Sequence, residues 1–188
     1  MFNSQDGQTP IDDDEKEGLR ILSISTRNEF EQQNIEQAIL WSMKKRFNID
    51  ELLSIEFVCA LHHKMFHQVW KWAGKFRASN KNIGVDKWQI STELKMILDD
   101  VRYGHENKVY PPDELVIRFK HRLVLIHCFP NGNGRHSRLM ADIIISNLYK
   151  FPIFSWGAKQ NKTREDYLQA IRKADRNDFS ELIDFARS

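Results

Sequence analysis

The chain has 188 residues, of which 41% are hydrophobic and 29% charged, and a formal net charge of +2. This composition is typical of a soluble globular domain, and the near balance of 28 basic and 26 acidic residues is not a nucleic-acid signature. No apolar run is long enough to span a bilayer, and the first residues lack the pattern of a signal peptide, so we expect a cytoplasmic protein without membrane contact.

The chain divides into a short arm and one domain. Residues 1–20 are polar and acidic, which predicts an arm, whereas residues 21–188 contain no linker or repeat. We therefore expect a single domain over 21–188, with its core in 50–186. Its apolar patterning is helical almost throughout, which predicts an all-α fold.

Three amphipathic helices are predicted in the first part of this domain. The first, over 29–46, has apolar residues at every fourth position: Ile35, Ile39 and Met43. The second is predicted to begin at an Asp50 cap. The third is predicted to begin at a Ser91 or Thr92 cap and to end at Gly104, a residue type that often terminates helices.

The second part of the domain predicts a central helix followed by shorter ones. Two prolines and Asp113 begin a helix that is apolar on most sides and ends near His127. Another helix is predicted from about Gly134, and two short closing helices are predicted within 163–186. Between the early and late helices, Gly84 and neighbouring β-type residues predict a hairpin over 82–90.

The stretch HCFPNGNGRHSR brings several chemically useful residues together at a helix–helix junction. His127 lies at the end of one helix, and Gly132 and Gly134 let successive N–H groups curl into an anion-binding nest at the start of the next. Arg135 and Arg138 add charged donors. The pattern suits attack of a hydroxyl on a nucleotide phosphate, with a histidine of ordinary pKa taking the proton.

Each of these features also has an ordinary structural explanation. Gly-Asn-Gly is a common turn sequence, and a histidine on an apolar helix is usually a hydrogen-bonded core residue. Cys128, beside His127, is a candidate thiol nucleophile or a second apolar residue at the base of the loop.

The same segment resembles the signature of the Fic/Doc family, His-x-Phe-x-(Asp/Glu)-Gly-Asn-Gly-Arg-x-x-Arg. The stretch LHHKMFHQVWKWAGKFR is similar to the segment that precedes the family's flap. The stretch DYLQAIRKADRNDFSELIDFA resembles the closing helices of the family. Within the family, the chain resembles the bacterial branch named mobile mystery protein B. The matching signature residues are His127, Phe129, Asn131, Gly132, Asn133, Gly134, Arg135 and Arg138.

The resemblance implies a Fic-type helical bundle with a small β-hairpin flap beside the active-site loop. It also implies a protein adenylyltransferase, which transfers AMP from its substrate ATP to a Ser, Thr or Tyr hydroxyl of a target protein. On this interpretation His127 is the general base and Phe129 anchors the loop. The implied nucleotide-binding residues are Asn131, Gly132, Asn133, Gly134, Arg135 and Arg138.

Two departures from the family pattern bear on the chemistry. Asn131 stands where the family often has the Asp or Glu that binds the cofactor Mg²⁺, and a neutral amide oxygen is a weaker ligand. Gly134 stands where the related phosphorylating Doc branch has a lysine. Glycine leaves room for a nucleotide pose that exposes the α-phosphate, which favours AMP transfer.

The resemblance also implies partners and a form of control. The flap would dock the target protein, through residues Asn82, Ile83, Gly84, Val85, Lys87 and Trp88. Glu29, or less favourably Glu31, is the candidate inhibitory glutamate that would pair with Arg138, although a solvated glutamate at the start of a helix is the favoured interpretation. An inhibitory or antitoxin-like protein is a further candidate partner.

Alternative functions stay open at this point. The chain is also consistent with a catalytically silent nucleotide-binding interaction protein, or with a transferase of another phosphate-containing group. A nucleic-acid-binding module is disfavoured, because the basic residues near Trp70 and Trp72 lie in a turn and the predicted hairpin. His63 and His67 have the spacing of a zinc pair but lack a third ligand.

Overall fold

The structure is a computed structural model that describes residues 24–188. The predicted arm, residues 1–20, and the start of the predicted domain lie outside the described residues. No helix within 24–188 combines the length and the apolar character needed to cross a bilayer.

The described residues form an all-α fold, as predicted. They contain eight α-helices and one short 3₁₀ turn, and residues 24–188 include no β-strand. The helices are α1 (Ile24–Lys44), α2 (Ile49–Leu52), α3 (Ile55–Phe66), α4 (Ile90–Glu106), α5 (Pro112–Ile126), α6 (Asn133–Tyr149), α7 (Arg164–Ala174) and α8 (Ser180–Arg187), and the 3₁₀ turn is Lys87–Gln89.

Helix α5 is the centre of the domain, as its apolar pattern predicted. It packs between α4 and α6, while α1 packs on α3 and α7 packs on α8. Val116 and Ile117 are completely buried on adjacent faces of α5, and Lys120 is buried with them. Because α5 is held on most sides, the loop that follows it is anchored to the core.

The caps of the early helices differ from the predicted ones. The side chains of Asn48 and Ser54 accept hydrogen bonds from the first turns of α2 and α3. Asp50 lies inside α2 and pairs instead with Arg102, at 2.6 Å. Ser91 also lies inside its helix, because α4 begins at Ile90 without a side-chain cap.

Gly104 does not terminate a helix, contrary to prediction. It lies inside α4, where an added Cβ would approach Cδ1 of Leu115 to 2.6 Å. The glycine therefore permits close packing of α4 on α5, and the helix continues to Glu106.

The buried face of α1 is not the predicted one. Met43 is 74% exposed and Ile39 is exposed as well. The residues that face the core are Glu31, Asn34, Ala38 and Ser42. Glu31 and Ser42 can occupy this face because they are hydrogen-bonded, to the Trp70 indole and to the Ile39 carbonyl. Asn34 Oδ1 accepts from the backbone N–H of Gln68 at 3.1 Å, whereas Asn34 Nδ2 has no partner among residues 24–188.

The predicted hairpin over 82–90 is not formed. Residues 82–85 are a series of bends that leads into the 3₁₀ turn. The Asp86 side chain closes that turn by accepting hydrogen bonds from Asn80 Nδ2 and from the Trp88 backbone N–H. The N–H of Val85 donates to the carbonyl of Ile126, at the end of α5, and not to a paired strand. We call residues 78–89 the flap segment.

Candidate active site

His127 occupies the exact end of α5 in a left-handed backbone conformation, with φ of +55°. Its side chain is almost completely buried, at 7% exposure. Its Nε2 atom has no hydrogen-bond partner among residues 24–188. A buried ring nitrogen without a partner is uncommon and is available to a ligand.

The pKa of His127 is lowered to about 4, so the prediction of an ordinary pKa was wrong. Burial is the main cause, and the positive charges of Arg77 and Lys81 lower the pKa further. The imidazole is therefore neutral at pH 7, which is the form that accepts a proton.

The loop after His127 is braced by its own side chains. Phe129 is completely buried, as predicted, and its ring stacks on His62 with centroids 3.7 Å apart. Asn133 Oδ1 accepts from the Phe129 N–H at 3.0 Å, and Asn133 Nδ2 donates to the Phe129 carbonyl at 2.7 Å. The side-chain amide of Asn133 is thus engaged within the loop, and its backbone N–H is the group that lies at the start of α6.

The two glycines of the loop have different structural roles. Gly132 has φ of +79°, and an added Cβ would lie 2.6 Å from the ring of Phe66. Gly134 is exposed, and no atom lies within 4 Å of the position of its missing Cβ. The first turn of α6, whose N–H groups have no acceptor within the helix, is therefore open on the side of Gly134.

Asn131 is engaged with its own chain. Its side-chain oxygen accepts from the Gly132 N–H at 2.6 Å, and its backbone carbonyl accepts from His62 Nε2 at 3.0 Å. No group of three or more His, Cys, Asp or Glu residues within 24–188 is placed to hold a metal ion.

Arg135 is paired with a glutamate from α1. Its guanidinium lies 2.6 Å from Glu31, and Glu31 also accepts from the indole N–H of Trp70 at 2.6 Å. The Arg135 guanidinium stacks over the ring of Phe66, at 4.9 Å. The predicted inhibitory residue Glu29 is exposed and forms no ion pair or hydrogen bond with residues 24–188.

Arg138 is available for a ligand. It forms no ion pair with a carboxylate of residues 24–188, and its Nε donates weakly to the Gly134 carbonyl at 3.4 Å. The predicted pairing of Arg138 with Glu29 or Glu31 is therefore not formed, because the position of Glu31 on α1 directs it to Arg135. The two arginines flank the start of α6, one paired and one not.

The predicted flap residues lie beside His127. Gly84 has φ of +98°, and an added Cβ would approach the Cβ of His127 to 2.7 Å. Ile83 and Trp88 are exposed, at 53% and 81%, and Asn82 is exposed as well. The flap segment thus brings two large apolar side chains to the surface near the site.

Two residues of the site were missed from the sequence. Arg77 donates through Nε to the carbonyl of His127 at 2.7 Å. His62 accepts the Gly74 N–H at its Nδ1, at 2.9 Å, and must therefore carry its proton on Nε2, which donates to Asn131. Both lie in the stretch LHHKMFHQVWKWAGKFR, so their position in the family resemblance was the one signal that could have found them.

A neutral buried imidazole, an open helix start and an arginine without an ion pair among residues 24–188 are groups that can accept a proton and bind an anion. The model of the Fic/DOC family matches residues 52–145, which is half of the chain. The chain belongs to this family, whose members commonly transfer AMP or other phosphate groups to their targets.

Solved structures show the same fold. A Fic domain containing signaling protein from Bacteroides thetaiotaomicron is 16% identical, with a TM-score of 0.72 over 88% of this chain and 70% of its own. Fic-1 from C. elegans is 21% identical, with a TM-score of 0.72 over 90% of this chain and 50% of its own. BepC from Bartonella tribocorum, solved with bound AMPPNP, is 15% identical, with a TM-score of 0.68 over 89% of this chain and 87% of its own.

Proposed function

We propose that this protein is a protein adenylyltransferase, which transfers AMP from ATP to a Ser, Thr or Tyr hydroxyl of a target protein. The hydroxyl oxygen forms a bond to the α-phosphorus, and the bond from that phosphorus to the bridging oxygen of the β-phosphate breaks. Pyrophosphate leaves, and the hydroxyl proton passes to His127.

The observation that carries this proposal is the buried, unpartnered Nε2 of His127 at the loop that leads into α6. A neutral imidazole can accept the hydroxyl proton as the new bond forms. In the free protein the low pKa of His127 limits its strength as a base. Bound phosphates would raise this pKa, because negative charge stabilises the imidazolium, so the base would strengthen when the nucleotide is in place.

The start of α6 is the proposed phosphate site. The backbone N–H groups of Asn133 and Gly134 would donate to the α- and β-phosphates, aided by the positive end of the helix dipole. The Gly132 N–H would join them once it is released from the Asn131 side-chain oxygen, to which it donates in this structure. Arg138 would bind the γ-phosphate, and Arg135 would support the phosphates once released from Glu31. Charge stabilisation by groups already in position is usually the largest contribution to such catalysis.

Two points bear on which group is transferred. The open space beside Gly134 supports a nucleotide pose that exposes the α-phosphate, and related structures were solved with bound AMPPNP or ADP. The Asn131 side-chain oxygen, the candidate metal ligand, already accepts from the Gly132 N–H. The target protein would dock on the flap segment, with Ile83 and Trp88 as apolar contacts and Asn82, Val85 and Lys87 beside them.

The test is labelling of a lysate with ATP radiolabelled at either the α- or the γ-phosphate. The label counted is the excess over a lysate without the added protein, because lysate kinases use γ-labelled ATP. We expect such label from α-labelled ATP alone, and its loss in His127→Ala. The matched control is His67→Ala, which removes a histidine at the end of α3, outside the site. Label from γ-labelled ATP would indicate phosphate transfer, and full labelling by His127→Ala would contradict the role of the base.

A catalytically silent nucleotide-binding protein is the second candidate. Two observations favour it: the Asn131 oxygen is engaged by Gly132, and Glu31 holds Arg135. In that case ATP would raise the thermal stability of the fold, and neither Asn131→Asp nor Glu31→Gln would produce transfer. Appearance of label in either variant would exclude the silent interpretation.

A further inference from the structure

Arg77 is a buried cation, and the Asp86 carboxylate of the flap segment acts on it electrostatically but without an ion-pair contact. Arg77 is 3% exposed and forms no ion pair with a carboxylate of residues 24–188. Buried charged groups are rare unless they are paired, so the contacts that Arg77 does make must hold it in place. All three hydrogen bonds of its guanidinium go to backbone carbonyl oxygens.

These carbonyls belong to two separate parts of the site. Arg77 Nε donates to the carbonyl of His127 at 2.7 Å. Its Nη1 donates to the Ser79 carbonyl at 2.8 Å, and its Nη2 donates to the Val85 carbonyl. One planar guanidinium therefore joins two points of the flap segment, Ser79 and Val85, to the backbone of the candidate base, and its fork geometry suits this task.

The backbone of His127 needs such support. A left-handed conformation at a non-glycine residue is strained and persists only where its surroundings impose it. Its carbonyl is at the C-terminal end of α5, where helix carbonyls lack partners, and Arg77 supplies the missing donor. The backbone N–H of Arg77 also donates to the Cys128 carbonyl, at 3.0 Å, so the two chain segments are linked twice.

The flap and the base are also in direct contact. Gly84 lies against the Cβ of His127 and beside Arg77 Nη2, with an added Cβ at 2.7 and 3.0 Å from these atoms. A displacement of the flap segment therefore acts on His127 both through this contact and through the shared guanidinium.

We propose that Arg77 is a positioning residue that couples the flap to His127, so that docking of a target on the flap aligns the imidazole for proton transfer. This inference rests on the proposed function, in which the flap docks the target and His127 is the base. Arg77 itself does not touch the phosphate site, so nucleotide binding is expected to be independent of it.

The first experiment tests the coupling between the flap and His127 without a measurement of transferase activity. Arg77→Lys keeps the charge but loses the fork, and hydrogen exchange is followed by mass spectrometry in peptides covering 78–90 and 126–131. We expect both peptides to exchange about tenfold faster in this variant. The matched control, Arg172→Lys, changes an exposed arginine on α7 and should alter neither peptide. Faster exchange in the flap peptide alone would overturn the coupling.

The second experiment separates position from charge. The pKa of His127 is measured by NMR, and His127→Gln identifies its resonance. Arg77→Lys should leave this pKa unchanged, whereas Arg77→Gln should raise it, because the Arg77 charge lowers it in the native protein. A pKa that is the same in Arg77→Gln and the native protein would show that the guanidinium does not act on the imidazole, against the inference.

The third experiment measures transfer. Arg77→Lys should slow labelling of the acceptor about 10- to 100-fold, since a small misplacement of a catalytic group has effects of this size. The Kd for ATP should stay within about twofold of the native value, because the helix start is untouched. Undiminished labelling by a folded Arg77→Lys would overturn the inference. If the native protein labels nothing, the proposed function fails, and hydrogen exchange alone then decides whether the coupling exists.

Discussion

The ion pair between Glu31 and Arg135 makes a quantitative prediction about nucleotide affinity. We consider Glu31→Gln, which removes the negative charge and keeps the shape of the side chain. In the native protein the carboxylate binds both the Arg135 guanidinium and the Trp70 indole, each at 2.6 Å, and its side chain is 8% exposed. Glu31 therefore places a buried negative charge on one side of the Arg135 guanidinium, and the proposed phosphate site lies on the other side.

The expected effect on affinity follows from Coulomb's law. A phosphate that binds the far side of the Arg135 guanidinium would lie roughly 7 Å from the Glu31 carboxylate, and with an effective dielectric constant of about 20 the repulsion is about 2 kcal/mol per phosphate charge. Screening by salt reduces this value. We therefore expect Glu31→Gln to bind ATP about 10- to 30-fold more tightly than the native protein.

The expected effect on stability has the opposite sign. In the native protein Trp70 donates to Oε1 of Glu31 and Arg135 donates to Oε2. In the glutamine variant one of these oxygens becomes an NH₂ donor, so one contact is lost, and the free energy of unfolding should fall by about 1–3 kcal/mol. The opposite signs of the two effects make the test specific. If Glu31 had a structural role alone, its substitution would lower the stability and leave the affinity for ATP unchanged or weaker.

The assay is isothermal titration of ATP together with urea unfolding of the free protein. Glu36→Gln is the matched control, because Glu36 lies on the same helix but is exposed, with Gln32 as its hydrogen-bond partner at 3.1 Å. It should change neither quantity. An unchanged or weaker affinity in Glu31→Gln would refute the electrostatic reasoning, and Arg135 would then be a structural residue.

Two further predictions concern stability. Gly132→Ala should destabilise the fold by about 1–3 kcal/mol, through its positive φ and its clash with Phe66, whereas Gly134→Ala should be neutral or stabilise α6 by up to about 1 kcal/mol; similar urea midpoints for the two variants would contradict this. Burial lowers the pKa values of His62, His127 and His136 and raises that of Asp142 to about 6. The unfolded chain therefore binds more protons below pH 6.5. From pH 7 to pH 5, His127 and His136 together should lower the stability by about 3–4 kcal/mol and Asp142 should raise it by about 1 kcal/mol, so the stability should fall by at least about 2 kcal/mol, with His62 adding to the fall; equal stability at the two pH values would contradict it.

The parts of the fold that were predicted correctly depend on local signals. The start of α5 is specified by adjacent prolines and Asp113, and its end by the loop that follows His127. The closing helices likewise begin and end within the predicted range, 163–186, apart from one residue at the end of α8. Such signals act over a few residues and need no knowledge of the tertiary structure.

The errors arose where a tertiary contact replaced a local preference. The fourfold apolar spacing of α1 favoured Ile39 as a core residue, but the helix turns Glu31 inward because Arg135 and Trp70 satisfy its carboxylate. Gly104 was expected to end a helix, but it is needed where α4 and α5 approach closely. In both cases the deciding partner is distant in sequence.

The contacts that brace the site are harder to predict than its chemistry, because they too depend on distant parts of the chain. The groups proposed to act on a substrate, His127 and the two arginines, are side chains whose types and spacing are visible in the sequence. The partners of Arg77 are three backbone carbonyl oxygens. Because every residue has such a carbonyl, no residue type in the sequence marks the positions that accept hydrogen bonds from Arg77. A buried arginine that binds only backbone therefore gives no pairing signal in a single sequence, although it determines how the base is held. If the coupling through Arg77 exists, substitutions at Ser79 or Val85 that preserve the backbone should be tolerated, whereas changes that move the backbone there should not.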